Sequence, residues 1–286
     1  MKIMVTGING QLGHDVASIL KERGIEYIAP THTEMDITDR DAVDLFFDSN
    51  DLNAVIHCAA YTAVDRAEDE AELCRKVNVD GTRNIAENCS KYNIPMMYIS
   101  TDYVFNGKGE RPWEPSDMTD PINVYGLSKR DGEREVLKLN KYFIIRISWV
   151  FGINGNNFVK TMIRLSETRE VVNVVDDQFG SPTYTKDLAI LIADMIVTER
   201  YGVYHAHNEG VCTWAVFAEK TFEILGLKTK VNRIITSQYP LKAKRPLNSR
   251  LSTSSLVNNG FKLLPKWEDA LFRFIRFNST VLIKKH

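Results

Sequence analysis

Tyr125 and Lys129 stand four residues apart in Tyr125-Gly126-Leu127-Ser128-Lys129, and the charged run Arg130-Asp131-Gly132-Glu133-Arg134-Glu135 follows them. On a helix that spacing places a phenol and an ammonium one turn apart on one face. A nearby cation favours the phenolate, so such a tyrosine could donate and recover a proton near neutrality. In isolation the same spacing describes an ordinary helix surface, and its meaning depends on what the chain places nearby. Upstream, Met96-Met97-Tyr98-Ile99 reads as a buried strand ending in Ser100-Thr101-Asp102-Tyr103-Val104-Phe105. The hydroxyl of Ser100 or of Thr101 could donate to a carbonyl or alkoxide, the electrophilic partner that a Tyr/Lys acid needs.

A proton donor of this kind needs a second reactant, and the start of the chain offers a seat for one. Residues 2–6 read as a strand, and Gly7-Ile8-Asn9-Gly10-Gln11-Leu12-Gly13 leads from it into a helix over 14–23, closed by Gly24. Gly7, Gly10 and Gly13 let the backbone turn tightly and approach a pyrophosphate, whose charge meets the helix N-terminus. The second strand, Tyr27-Ile28-Ala29, ends at Pro30-Thr31-His32. Neither the acid that selects NAD nor a base for the 2′-phosphate of NADP is present there, and the missing acid tilts the reading towards NADPH, with NADH possible. Asp36 is either a contact to the adenine edge or a turn acid; Thr38 or Asp39 caps a helix over 42–47. The strand Ala54-Val55-Ile56-His57-Cys58 delivers Ala59-Ala60-Tyr61-Thr62, whose small residues leave room for a dinucleotide, while His57 reads as a core histidine. A long helix from about Glu68 to Cys89 carries Asn78 in its apolar stripe, where it either faces solvent or hydrogen-bonds the backbone of the site.

These elements bound the fold. Strands alternating with helices predict an α/β chain with a Rossmann-like doubly wound parallel sheet over 1–150. A strand over 171–175, a helix over 185–198 and a strand over 202–207 are expected to complete it by about 171–210. Residues 211–286 with 151–170 are expected to form a smaller C-terminal substrate-binding α/β lobe. The 286 residues suffice for one large domain or two unequal ones. Lys plus Arg, 36, nearly balances Asp plus Glu, 37, which argues against a nucleic-acid footprint or an electrostatic membrane anchor. No apolar run approaches a membrane span and no signal peptide fits the N-terminus, so a cytoplasmic location is expected, with Cys58, Cys74, Cys89 and Cys212 as free thiols. His205 and His207 share a strand face without a third ligand, and no metal site is expected.

Gly7-x-x-Gly10-x-x-Gly13, Ala59-Ala60-Tyr61-Thr62, the Ser100–Phe105 block and Tyr125-x-x-x-Lys129 together resemble the extended short-chain dehydrogenase/reductases. More specific blocks are similar to those of the dTDP-4-dehydrorhamnose reductase family. They are Thr62-Ala63-Val64-Asp65 with Ala67-Glu68, Pro121-Ile122-Asn123-Val124-Tyr125-Gly126 and Ser148-Trp149-Val150 in the first half. Asn156-Asn157-Phe158-Val159-Lys160-Thr161-Met162, Asp177-Gln178-Phe179-Gly180-Ser181-Pro182-Thr183 and Arg245-Pro246-Leu247-Asn248-Ser249-Arg250-Leu251 follow. The resemblance spans residues 3 to about 270. It implies NADPH-dependent reduction of the C4 keto group of dTDP-4-dehydro-L-rhamnose, a nucleotide sugar made for polysaccharide biosynthesis. It implies Tyr125 as general acid, Lys129 as ligand of the nicotinamide ribose that lowers the tyrosine's pKa, and Thr101 polarising the carbonyl. Asp102 would sit beside Thr101 in the sugar pocket, and Gly10, Gln11, Leu12, Asp36, Ile37, Ala60, Tyr61 and Thr62 would line the cofactor.

Trp149 could stack on a sugar or thymine, or simply pack in the core. Asn157 belongs to a substrate block, and Arg245 could grip a diphosphate bidentately. Some relatives dimerise through an acidic, magnesium-linked cluster near the C-terminus. Here the corresponding end reads Arg273-Phe274-Ile275-Arg276-Phe277, which argues against a metal-linked dimer and leaves monomer or homodimer open. The tail after Phe274, with its basic end, is expected to be dispensable for chemistry. Two rival readings remain on the same fold. Sugar-nucleotide 4,6-dehydratases place a glutamate after the Thr-Asp pair, where this chain has Tyr103; an epimerase would keep NAD tightly bound. A non-catalytic NADP-binding regulatory subunit would not need Thr101, Tyr125 and Lys129 together.

Overall fold

Short runs rich in Ile, Val and Met form six strands in a computed structural model that describes residues 1–282: β1 Lys2–Thr6, β2 Glu26–Ile28, β3 Ala54–His57, β4 Met96–Thr101, β5 Tyr142–Ile147 and β6 Gly202–His205. They pair in the order β6-β5-β4-β3-β1-β2, every pair parallel. A parallel sheet is covered on both faces, which is why its strands read as continuous apolar runs rather than alternating ones. Ile3, Met4, Val5, Val55, Ile56, Met97 and Ile144 have no accessible surface. On one face lie the helices Gln11–Glu22 and Thr185–Met195, packed through Val16, Ile19, Leu20, Leu188 and Ile192. On the other lie Arg40–Asp48, a helix over 71–91 and Val124–Val136, contributing Val43, Phe47, Ile85, Cys89 and Val136. β1 has β2 on one side and β3 on the other, so the winding reverses there. A crevice opens at such a switch point, beyond the strands' carboxyl ends.

Helix ends follow local chemistry. Gln11–Glu22 stops at Arg23, and Gly24 takes the left-handed conformation at φ +65°. Asp39 caps Arg40–Asp48 by accepting from Ala42 N at 3.2 Å, and Asn123 caps Val124–Val136 by accepting from Gly126 N at 2.7 Å. The helix expected from Glu68 to Cys89 is broken. A short turn, Val64–Ala67, precedes a continuous helix over 71–91 whose middle, Lys76–Gly81, is π-helical. That widened turn carries Asn78 and leaves it 1 % exposed, the kind of position where π turns serve functional sites.

The strand Val171–Val175 does not complete the sheet. It pairs in parallel with Lys230–Ile234 in a separate two-stranded ribbon, because Val172 and Val174 pack against Ala215, Ala218 and Phe222 of the helix Trp214–Leu225. Helix Thr185–Met195 and β6 do join the sheet layer as expected. The last helix, Trp267–Leu282, buries Trp267, Leu271 and Phe274 against Phe151, Tyr184 and Phe217. Arg273 grips Asp187 bidentately at 2.7 Å to each oxygen and reaches Asp269 at 2.7 Å, an internal ion cluster within one chain. The basic residues Lys284 and Lys285 lie outside the described residues. All four cysteines are free thiols, and no described helix is long and apolar enough to cross a membrane.

Candidate active site

The turn after β1 is shaped by close approach. Gly7 has φ +73°, and a Cβ there would lie 2.6 Å from the backbone nitrogen of Ala59; at Gly13 it would fall 2.3 Å from Gly7 O. Only glycine fits where the two strand ends meet. The next helix starts at Gln11 with no side-chain cap from Gly10, so its first backbone N–H groups and the positive end of its dipole are left for an anion. These residues therefore fit a dinucleotide's pyrophosphate. At the ribose end Asp36 accepts from Thr38 N and Thr38 Oγ1, both at 2.9 Å, with His32 Nε2 at 3.5 Å. It is a turn acid whose edge also borders the crevice.

The third wall comes from the loop after β3, which one buried side chain holds in place. Asn78 Oδ1 accepts from Tyr61 N at 2.8 Å, while its Nδ2 donates to Tyr61 O at 3.0 Å and to Ser128 Oγ at 2.9 Å. Asn78 thereby ties residues 59–62 to the helix that bears Tyr125 and Lys129. His57 is a core histidine, with ring nitrogens 2.8 Å from Thr6 Oγ1 and 3.2 Å from Thr82 Oγ1; burial, then the charge of Lys129, depress it to about 3.

The resulting crevice has a volume of about 730 Å3. Gly7, Gly10, Gln11, Leu12 and Gly13 border one end, with Asp36 and Ile37 beside them. Ala59, Ala60 and Thr62 border the middle, and Thr101, Asp102, Tyr125, Lys129 and Trp149 the other end. Three expected site residues do not line it. Tyr61 turns its phenol to Glu70, which leaves only its backbone at the loop. Asn157 caps the helix Phe158–Ser166 by accepting from Lys160 N at 3.1 Å, and its Nδ2 donates to Gln11 Oε1 at 3.0 Å and Gly152 O at 2.8 Å, behind the wall. Arg245 is ion-paired to Asp65 at 2.6 Å and donates to Ala243 O at 3.0 Å.

At the chemical end the two candidate hydroxyls separate. Ser100 Oγ donates to Glu133 Oε1 at 2.5 Å, so it is committed to the scaffold. Thr101 Oγ1 accepts from Tyr103 N at 3.2 Å and donates to Asp102 Oδ1 at 3.0 Å. Asp102 is 3 % exposed, and its Oδ2 has no partner among the described residues. Burial pushes its carboxyl up to about 6, against the pull of the Ser249 and Thr101 hydroxyls. Sequence reasoning missed Glu133 and Arg146. They form a bidentate pair at 2.9 and 2.8 Å, both nearly fully buried, that locks the Tyr–Lys helix to β5. A charge at the eighth position after Tyr125, facing an arginine inside an apolar strand, was the only available signal.

Lys129 is 2 % exposed, with Nζ 3.9 Å from the centre of the Tyr98 ring. Burial lowers its amine to about 7, while the charge of Glu133 holds it up. Tyr125 moves the other way. Burial first and the Asp102 carboxylate second push it above its ordinary 10, and the Thr101 hydroxyl pulls it down. The lowering by Lys129 expected from the spacing is not among these influences; the lysine's own charge is penalised by the same burial. The arrangement keeps the phenol protonated, ready to act as an acid, beside a hydroxyl and an amine that titrates near neutrality.

Residues 1–279 match the family model described as RmlD substrate binding domain. A dTDP-4-dehydrorhamnose reductase of Aggregatibacter actinomycetemcomitans is 41 % identical over 94 % of this chain and 97 % of its own length. Among solved structures, a dTDP-4-dehydrorhamnose reductase from Clostridium acetobutylicum superposes with TM-score 0.95 at 39 % identity, covering 98 % of this chain and 100 % of that one. The dTDP-4-dehydrorhamnose reductase of Bacillus anthracis in complex with NADP gives TM-score 0.94 at 41 % identity, covering 96 % and 99 %.

Proposed function

Because the chain belongs to the RmlD substrate binding domain family, we propose that it is an NADPH-dependent reductase that converts dTDP-4-dehydro-L-rhamnose to dTDP-L-rhamnose. The observation that carries the reading is one crevice with an anion-binding turn at one end and Thr101, Tyr125 and Lys129 at the other. Near-full-length similarity to reductases of that name, one of them solved with NADP, supports both the substrate and the cofactor.

NADPH, when bound in the crevice, would supply the hydride for the sugar's C4 carbonyl carbon. The chain's own residues do the rest. The turn at Gly7–Gly13 and the helix N-terminus hold the diphosphate, and the loop at Ala59–Thr62, held by Asn78, sets the height of the crevice wall. Tyr125 Oη gives its proton to the oxygen at C4 as charge builds there. Thr101 Oγ1 would face the same oxygen, with Asp102 orienting its hydroxyl. Lys129 would bind the nicotinamide ribose, and a neighbouring Tyr98 ring favours its charged form. Such alignment removes much of the entropic barrier between two reactants. Arg245 would exchange its Asp65 partner for the sugar nucleotide's diphosphate.

Tyr125→Phe tests the assignment, since it deletes one hydroxyl and preserves ring packing. NADPH titration should be unchanged while turnover falls by roughly a hundredfold or more. Turnover within a few-fold of the parent would move the proton donor elsewhere.

A further inference from the structure

The block Asp177–Thr183 is among the most specific in the chain, yet the chemistry above does not use it. Its role emerges at Trp149, which borders the crevice two residues beyond Ile147, the residue in register with Thr101 across β4 and β5. Trp149 has φ +50°, one of only two non-glycine residues with positive φ among the described residues. For a bulky side chain this conformation is strained and persists only when its surroundings impose it.

The surroundings are the block itself and Trp214. Thr183 N donates to Trp149 O at 3.1 Å, Thr183 Oγ1 donates to Ser148 O at 2.6 Å, and Ser148 Oγ donates to Ser181 O at 2.8 Å. Gly180 clears the ring: a Cβ there would lie 2.6 Å from Trp149 Cε2 and 2.9 Å from its Nε1. Trp214 stacks on Trp149 with centroids 3.8 Å apart and planes 14° from parallel. The two indoles differ in their commitments. Trp214 Nε1 donates to Gln178 Oε1 at 3.1 Å, again within the block. Trp149 Nε1 has no hydrogen-bond partner among the described residues. Trp214, which also borders the crevice, is thus bound to the scaffold by its N–H, whereas Trp149 is held by its backbone and its ring faces, leaving its N–H available.

We propose that Trp214, together with Gly180 and Gln178, is a positioning residue that holds Trp149 in its left-handed conformation as a rigid wall of the hexose pocket. The inference rests on the reductase reading for the identity of the sugar. Its placement beside Thr101 puts the wall at the ring whose C4 is reduced, so its loss falls on sugar binding rather than on cofactor binding. A stacked indole pair also gives an exciton-coupled circular dichroism couplet in the far ultraviolet that no single tryptophan produces.

Trp214→Leu removes the stack and Trp214→Phe keeps an aromatic face; Gly180→Ala pushes on Trp149 from the other side without touching Trp214. Trp214→Leu and Gly180→Ala should each lose the coupled signal, as should Trp149→Phe, and raise the KM for the sugar nucleotide about tenfold with the KM for NADPH unchanged. Trp214→Phe should restore most of the sugar KM. A sugar KM that stays at the parental value, or an NADPH KM that rises in step with it, overturns the proposal. If Trp214→Leu does not fold, Gly180→Ala gives the same two readings. The dichroism reports the cradle with no substrate present, and binding of dTDP-L-rhamnose can replace KM, so a failure of the reductase reading in the parent protein is seen separately.

Discussion

Asp102 buries a carboxyl oxygen that has no partner among the described residues, next to the hydroxyl of Thr101. That is costly for folding. Its carboxyl titrates at about 6 against an ordinary 3.8, and the displacement corresponds to roughly 3 kcal/mol. Below about pH 4 the group is neutral in both folded and unfolded chains, so it carries no penalty there. Between about pH 4 and 6 the unfolded chain ionises first and the penalty grows; above about pH 6 it is complete. Asp102→Asn should therefore stabilise the protein at neutral pH by up to roughly 3 kcal/mol, with the gain fading towards about pH 4, and should lower turnover. Thermal unfolding of parent and variant at both pH values checks this; a gain equal at the two values would contradict it. At this scale the sequence was informative about residue types and poor about directions. Tyr125, Lys129 and Thr101 border one crevice, but nothing local in Tyr61 foretold that its phenol would turn to Glu70.

The π turn at Lys76–Gly81 does for the backbone what the glycines do for the cofactor end. It lets Asn78 reach across to Tyr61 and Ser128, so one side chain sets the distance between the Ala59–Thr62 loop and the Tyr–Lys helix. Asn78→Ala removes the hydrogen bonds to Tyr61, Ser128 and Cys74 and strands backbone groups of the loop. A loss of roughly 2–3 kcal/mol in urea unfolding is expected, with weaker NADPH binding because the loop wall shifts. Unchanged NADPH affinity in a destabilised variant would reduce Asn78 to a core polar group. The sequence showed an asparagine in an apolar stripe; the π turn that aims it depends on packing against residues some fifty positions away and has no local signature. The strand Val171–Val175 illustrates the same limit. Four valines around Asn173 suit any strand with one or both faces covered, and the choice of the ribbon with Lys230–Ile234 was made by the helix Trp214–Leu225.

Across the whole molecule, polar bridges join the segments that bear the two ends of the crevice, beside an apolar core in which Leu256, Phe261 and Leu264 pack with Ile3, Val5 and Ile145. Asn154 Nδ2 donates to Asn9 O at 2.8 Å, Asn157 reaches Gln11, and Arg245 and Lys242 pair with Asp65 and Asp69. Arg245 is held beside the crevice by a carboxylate, so an incoming diphosphate has to win it. Arg245→Ala should raise the KM for the sugar nucleotide by about tenfold or more and leave the KM for NADPH alone; equal changes in both would show a structural strap instead. That pairing spans 180 positions in the sequence and was legible only as a guanidinium suited to phosphate oxygens. The purified protein is supplied with NADPH and a 4-keto-6-deoxy sugar nucleotide generated in place by a dehydratase and an epimerase, and NADPH oxidation is followed. Consumption that requires the epimerase, with dTDP-L-rhamnose as the product, is the expected result; no consumption with either NADPH or NADH would contradict the account.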